Sequence, residues 1–417
     1  MSTLSNELVQ RMFAEYYEEC LLEKCAPREL EKREFGALLF KERLMIRHKA
    51  FTSMGGVRDF LCSMIPSDVY YSGAYYEQPS ALDMSAKGWL GADLIFDIDA
   101  DHIHTQCEKI HDEWTCGECG FGGKGLTPDQ CPVCGGQKFQ AKTWLCEGCI
   151  ESAKNETAKL LDMLQNDFGF SEKEVHVFFS GHRGYHVHVE TREVKTFDSI
   201  ARKEIVDYVS GIGLNLGFRD STPKTLNKAN FPTIPHPDDL GWRGRVAKGV
   251  HDFILYSSPE DYKKIGLRKN VIETIIQNKN LILRSIGHAE RSHVVKGLGP
   301  ETWRKLIKHC AESLSAKIDT VVTTDIHRLI RLPGTLHSKT GFKKVEFSIS
   351  HFEDFDPLKS AVAFRNGAVT IFVSDVPEFR IGDKTFGPYH NQKIELPTAA
   401  ALLLICKKRA EVVEQDV

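Results

Sequence analysis

The chain has 417 residues, enough for two or three domains. At 41% hydrophobic and 27% charged residues it can build a large core, which excludes wholesale disorder. A net charge of -3 gives no global pull toward nucleic acid, so any such function must rest on local clusters of Lys and Arg. The longest apolar runs, such as 402–406, fall far short of the roughly 20 residues of a membrane-spanning helix. The amphipathic, acidic N-terminus carries no signal-peptide core. The expectation is a soluble cytoplasmic protein that avoids membranes.

In chain order, residues 1–30 have helical spacing of Leu, Val, Met, Phe and Tyr. EFGALLF and RLMIRHKAF, within 34–51, read as two short strands. Residues 56–64 read as helix, and SDVYYSGAYYEQPS carries strand and turn signals. ADLIFDIDAD, from Ala92, is the sharpest strand; with a period of two, Asp97 and Asp99 project from one face. A Cys- and Gly-rich stretch follows, then an amphipathic helix over 152–168 with Ala153, Leu160, Leu161, Leu164 and Phe168 on its apolar side. VHVFFSGHRGYHVHVE reads as a hairpin around a Ser-Gly-His-Arg-Gly turn. Residues 198–312 are mostly helical, interrupted by the Pro-rich loop FPTIPHPDDLGWRG. KIDTVVTT reads as a strand and DIHRLIRL as a short helix, followed by PGTLHSKTG. Two or three further strands (VEFSIS, AVTIFV) precede a final helix, PTAAALLLICKKRAEVV.

Seven of the twelve cysteines lie between Cys107 and Cys149. In a chain without a secretion signal, such clustering favours metal over disulfides. Cys116-Gly-Glu-Cys119 and Cys131-Pro-Val-Cys134 are separated by eleven residues, and each is followed by Gly. This is the spacing of two knuckles that close a tetrahedral zinc site. Around them, Cys107, His111, Cys146 and Cys149 could form a second site. Four protein ligands in each set leave no open position, so both read as structural.

Two carboxylates side by side on one strand face, Asp97 and Asp99, repel each other unless a cation lies between them, and oxygen ligands suit Mg²⁺ or Mn²⁺. The turn offers Ser180, Gly181, Arg183 and His186 to an anionic ligand. Between Arg328 and Lys339, a stretch with Arg331 and His337 has cations and no carboxylate. Arg47, with Glu34, can join from the N-terminal strands.

Together, EFGALLF…IRHKAF, LIFDIDADH, FFSGHRGYHVHV and IDTVVTTDIHRLIRLPGTLHSKTG, in this order over residues 30–341, resemble the small catalytic subunit of archaeal DNA primase, of the archaeo-eukaryotic primase family. The resemblance implies a two-metal nucleotidyltransferase that starts short RNA, or also DNA, primers on single-stranded DNA from NTPs or dNTPs. It further implies a heterodimer with a large subunit that carries an iron–sulfur domain. The family's aspartates match Asp97, Asp99 and, on a later strand, Asp319. Asp325 competes for the third place, but helix capping would explain it at a helix start. The family's nucleotide positions match Ser180, Arg183, His186, Arg331, His337 and Lys339, while His182 stands where eukaryotic members have Arg. The family's zinc knuckle resembles Cys107, His111, Cys146 and Cys149, so the four-cysteine ribbon is an insertion and two zinc ions are expected.

The implied fold is α/β (α+β): a mixed, largely antiparallel central sheet with flanking helices, a zinc-binding insertion and a helical subdomain. The expected segments are catalytic core at 1–105, 151–197 and 313–417, the insertion at 106–150 and the helical subdomain at 198–312. Two other readings stay open on the residues: a zinc-ribbon nucleic-acid-binding module without catalysis, and a metal-dependent nuclease. Only the primase consumes nucleotides.

Overall fold

The structure is a computed structural model that describes residues 2–41, 44–214, 235–286 and 295–413. The chain divides into two compact units. One comprises Met1–Thr157, Ser171–Lys203 and Ile318–Val417; the other comprises Ala158–Phe170 and Glu204–Lys317. The second unit is helical, with helices such as Gly241–Tyr256 and Pro300–Leu314 packed on each other. Residues 231–234 of the Pro-rich stretch lie outside the described residues. Its last four residues are no loop but the first turn of Gly241–Tyr256.

The first unit carries two four-stranded sheets. One runs Leu329–Arg331, Pro66–Ser72, Phe35–Leu39, Met45–Lys49; the other runs Val345–Phe347, Val175–Phe179, Gly184–Val189, Leu94–Asp99. The α+β class with largely antiparallel sheets is as expected, with the described strands divided between these two sheets and four smaller ones of two or three strands. Every strand pairing among the described residues is antiparallel. The N-terminal helix Thr3–Glu19 buries Val9, Phe13 and Tyr17, one residue per turn on a single stripe. Thr398–Cys406 is apolar all round and every residue of it is buried, as a helix inside a core must be. No helix among the described residues is long and apolar enough to cross a membrane.

Several local expectations are corrected. The N-terminal helix stops at Glu19 rather than near residue 30. The helix expected over 152–168 spans Glu147–Asn166, which puts Cys149 in its first turn. The final helix ends at Cys406; Lys408 takes a left-handed conformation (φ 57°), and Ala410–Val412 turns back as a strand beside Ala368–Val373. KIDTVVTT is not a strand. Its β-branched residues favour one, but the Asp319 side chain accepts the amides of Val321 (2.9 Å) and Val322 (3.4 Å) and starts the short helix Thr320–Thr324. DIHRLIRL is not a helix: Leu329–Arg331 pairs as an edge strand with Tyr70–Ser72.

Candidate active site and metal centres

The aspartate strand Leu94–Asp99 lies beside the hairpin strand Gly184–Val189, with Gly184 opposite Asp99 and His186 opposite Asp97. The period of two therefore puts Asp97, Asp99 and His186 on one face. Gly184 is required there, because a Cβ would sit 2.4 Å from the Ile98 carbonyl oxygen. Gly181, at φ 89°, closes the hairpin tip against the loop that carries His337, where a Cβ would meet His337 Cβ at 3.1 Å. The tip and that loop interlock further: the Thr340 hydroxyl donates to the Gly181 carbonyl at 2.5 Å.

Asp319 joins from the third segment. Its amide donates to the Asp97 carbonyl at 2.8 Å. Burial, then the charges of Asp99 and Asp319, push the Asp97 carboxyl up to about 7, even though 24% of its side-chain surface stays open. Asp99 is also raised, by burial and then by Asp101. Asp325 is not among the largest charges acting on Asp97; it acts on Tyr76, as does Glu34. The capping argument is thus reversed: Asp319 is the helix cap, and Asp325 closes the helix's other end while accepting the His327 amide at 2.9 Å. The charges of Asp99 and Asp319 both act on Asp97, and carboxylates are the donor type suited to hard divalent cations, although the oxygens of the three do not all lie within 4.8 Å of one another.

His186 lies with its Nε2 3.6 Å from Asp97 Oδ1. Burial holds it well below the usual histidine range, and His337 likewise, so both rings are neutral at pH 7. The Lys339 amide donates to His337 Nδ1 at 3.1 Å, which assigns the ring proton to Nε2 as a free donor. Lys339 itself is exposed and forms no ion pair among the described residues. Ser180, at the hairpin tip, accepts the His182 amide on its hydroxyl at 3.3 Å.

Two of the expected nucleotide donors are engaged elsewhere. Arg331 pairs with the buried Asp68 at 2.8 Å and donates to the Leu336 carbonyl at 3.0 Å, while Asp68 also accepts the Ser338 amide at 3.1 Å. Together they brace the 332–341 loop. Arg183 is 1% exposed, and protein partners occupy its whole guanidinium. Nε and one Nη bond Asp101, both Nη bond Asp112 (3.1 and 2.7 Å), and one Nη also meets the Trp144 carbonyl at 3.2 Å. Arg47 holds both oxygens of the fully buried Glu34, at 3.0 and 3.3 Å, and the buried Lys87 shares that carboxylate at 3.1 Å. Asp68, Asp112 and Lys87 carried no sequence signal, being single charged residues in otherwise unremarkable runs.

Among the described residues, two groups of cysteine and histidine have ligand atoms that all lie within 4.8 Å of one another: Cys107, His111, Cys146, Cys149 and Cys116, Cys119, Cys131, Cys134. The measured edges include Cys107–Cys149 at 3.4 Å, Cys107–His111 at 3.3 Å, Cys116–Cys134 at 3.6 Å and Cys119–Cys131 at 3.6 Å. These are far longer than a disulfide of about 2.05 Å. They approach the edge of about 3.8 Å that a tetrahedron with metal–sulfur bonds of about 2.3 Å requires. His111 turns Nε2 toward the sulfurs while its Nδ1 meets Asp112 at 2.9 Å, the carboxylate–histidine arrangement that orients a metal ligand. Asp112 therefore links the outer cysteine set to Arg183 and so to the hairpin.

Comparison with known proteins places these features in a family. The family model described as DNA primase small subunit matches residues 129–349. The DNA primase small subunit PriS of Methanococcoides burtonii is 36% identical over 422 residues, covering 96% of each chain. Those of Nitrosopumilus maritimus (31%, 99% of this chain and 100% of the relative) and Methanosarcina acetivorans (32%, 99% and 97%) are similar over nearly their whole length.

Proposed function

Because the chain belongs to the DNA primase small-subunit family, we propose that it makes short RNA, or also DNA, primers on single-stranded DNA. The chemistry is nucleotidyl transfer at Asp97, Asp99 and Asp319. The observation that supports this reading is that Asp97 and Asp99 share a strand face and that the backbone amide of Asp319 donates to the Asp97 carbonyl, so that the charges of Asp99 and Asp319 both act on Asp97. Divalent magnesium or manganese held there would neutralise the triphosphate and lower the pKa of the attacking 3′-hydroxyl. The chain's own residues hold the nucleotide. Lys339 supplies a mobile cation, His337 an Nε2–H donor, and Ser180 and Gly181 the tight tip beside them. His186 packs against Asp97 as a neutral ring and adds no charge that would compete for the carboxylate. Arg183 and Arg331 position this machinery, and Glu34 fixes Arg47. No protein nucleophile is required.

As a small subunit the chain implies a large-subunit partner, and the working enzyme is a heterodimer. The test is incorporation of labelled ribonucleotides and deoxyribonucleotides on single-stranded DNA, with the large subunit supplied. Template- and metal-dependent products of short length support the reading. Degradation of the template without nucleotide consumption favours a nuclease instead.

Each cysteine set holds one structural zinc. Metal analysis by native mass spectrometry is expected to count two zinc ions per chain. Cys131→Ser should lower the count to one and leave the outer ion in place. A count of one in the unaltered protein would remove the inner or outer site from this account.

A further inference from the structure

The inserted ribbon's last strand, Phe139–Lys142, ends at the wall of a cavity of about 340 Å³. Lys142 and Thr143 form that wall, Ser338 and Lys339 of the nucleotide loop another, and Lys407 and Lys408 a third, while Val9, Leu39 and Phe40 make the remaining side apolar. Four lysines thus face one concavity, and none of its lining residues is acidic. None of the four makes an ion pair among the described residues, and Lys407 is 7% exposed, with its Nζ 2.6 Å from His182 Nε2. His182 in turn lies 5.2 Å, centroid to centroid, from His337. The ribbon wall is fastened: Arg409, next to Lys408, pairs with Glu113 on the ribbon's first strand at 2.9 Å. Like charges gathered this way in a concave, partly dry space are costly unless an anion completes them. The volume falls within the range of small-ligand sites, about 300–1,000 Å³.

We propose that this cavity is a diphosphate subsite, which takes the terminal phosphates of a bound nucleoside triphosphate or free pyrophosphate, and that the four-cysteine ribbon serves to supply its Lys142 wall. The inference rests on the nucleotide-site reading above and extends it. A diphosphate fits better than a nucleic-acid backbone, because the cavity is small and lysines line it on three sides. Burial, followed by the neighbouring Arg183 and Lys339, pushes Lys407 down to about 7. An anion in the cavity would restore its proton, so binding should take up a proton near neutral pH.

The test is titration calorimetry of pyrophosphate into the full chain, without template or divalent ions, for wild type, Lys142→Ala/Lys408→Ala and Lys142→Arg/Lys408→Arg. Circular dichroism and zinc content confirm the fold of each. Affinity is expected to fall roughly tenfold for each lysine removed, and to persist in the arginine pair. In the heterodimer, the alanine pair should raise KM for the nucleoside triphosphate more than it lowers kcat. A nucleotide effect without pyrophosphate binding assigns the cavity to the bound triphosphate alone, and both effects assign it to either source. The proposal is overturned if pyrophosphate affinity and KM are both unchanged. It is equally overturned if only single-stranded DNA binding falls, which would make the cavity a backbone site. Should wild type make no primers while its pyrophosphate affinity still depends on these lysines, the subsite stands and the primase reading fails.

Discussion

Replacing Arg183 by alanine is expected to destabilise the fold by about 3–5 kcal/mol and to loosen zinc at the outer set, rather than simply to weaken nucleotide binding. The side chain is 1% exposed and all its donors face Asp101, Asp112 and the Trp144 carbonyl. Removing it leaves the buried Asp112 carboxylate without its cation, and Arg183 is one of the groups that hold that carboxyl far below its usual range. The loss is therefore that of an uncompensated buried charge, much larger than the roughly 0–1 kcal/mol of a surface pair. Asp112 also orients His111, so the disturbance should reach the metal. Arg183→Lys keeps the charge but not the fork, and should recover only part of the loss. Denaturant unfolding and zinc retention in a chelator challenge decide the matter. Normal stability and zinc with a raised KM for nucleotide would return Arg183 to the phosphate.

Asp97→Asn is expected to act in opposite directions on activity and stability. Loss of the carboxylate proposed to hold the catalytic metal would remove several kcal/mol of transition-state stabilisation, so primer synthesis should fall roughly a thousandfold or more. The metal-free fold should gain. Its Asp97 carboxyl titrates near 7 rather than at the ordinary 3.8, because burial and the charges of Asp99 and Asp319 oppose ionisation. A carboxyl raised on folding contributes fully below its unfolded pKa, and that contribution is lost as pH rises toward the folded one. The wild-type protein without added magnesium or manganese should therefore lose stability between about pH 4 and 7, and Asp97→Asn should be spared this loss. Its advantage in Tm should be absent near pH 4, grow up to pH 7 and level off above. Melting curves across that range check it; an advantage independent of pH, or a lower Tm throughout, would contradict the electrostatic account.

The legible parts of this chain were those where periodicity or spacing encodes geometry. Alternation in the aspartate strand was enough to place Asp97 and Asp99 on one face, and the two C-x-x-C knuckles were enough to group four sulfurs. What the sequence hid depended on partners remote in the chain. Thr-Val-Val-Thr-Thr reads as strand by propensity, but one carboxylate bonding two amides makes it a helix, so the N-terminal cap is Asp319, while Asp325, the residue expected to cap a helix start, lies at the helix's C-terminal end. Arg183 reads as a phosphate donor from its place in a glycine turn, and Arg331 because its own stretch holds no carboxylate. Their partners, Asp112 and Asp68, lie 71 and 263 positions away in the numbering. The Lys407–His182 contact spans 225 residues and could not be read from either segment alone.

The most direct test of the central claim is primer synthesis on single-stranded DNA by the heterodimer, comparing wild type with Asp97→Ala, Asp319→Ala and Asp325→Ala in Mg²⁺ or Mn²⁺. Short primers from wild type, none from Asp97→Ala or Asp319→Ala, and near-normal synthesis by Asp325→Ala are the predicted result. A folded Asp325→Ala that is inactive beside an active Asp319→Ala would contradict the assignment of the third carboxylate. Full synthesis by Asp97→Ala would contradict the site as a whole.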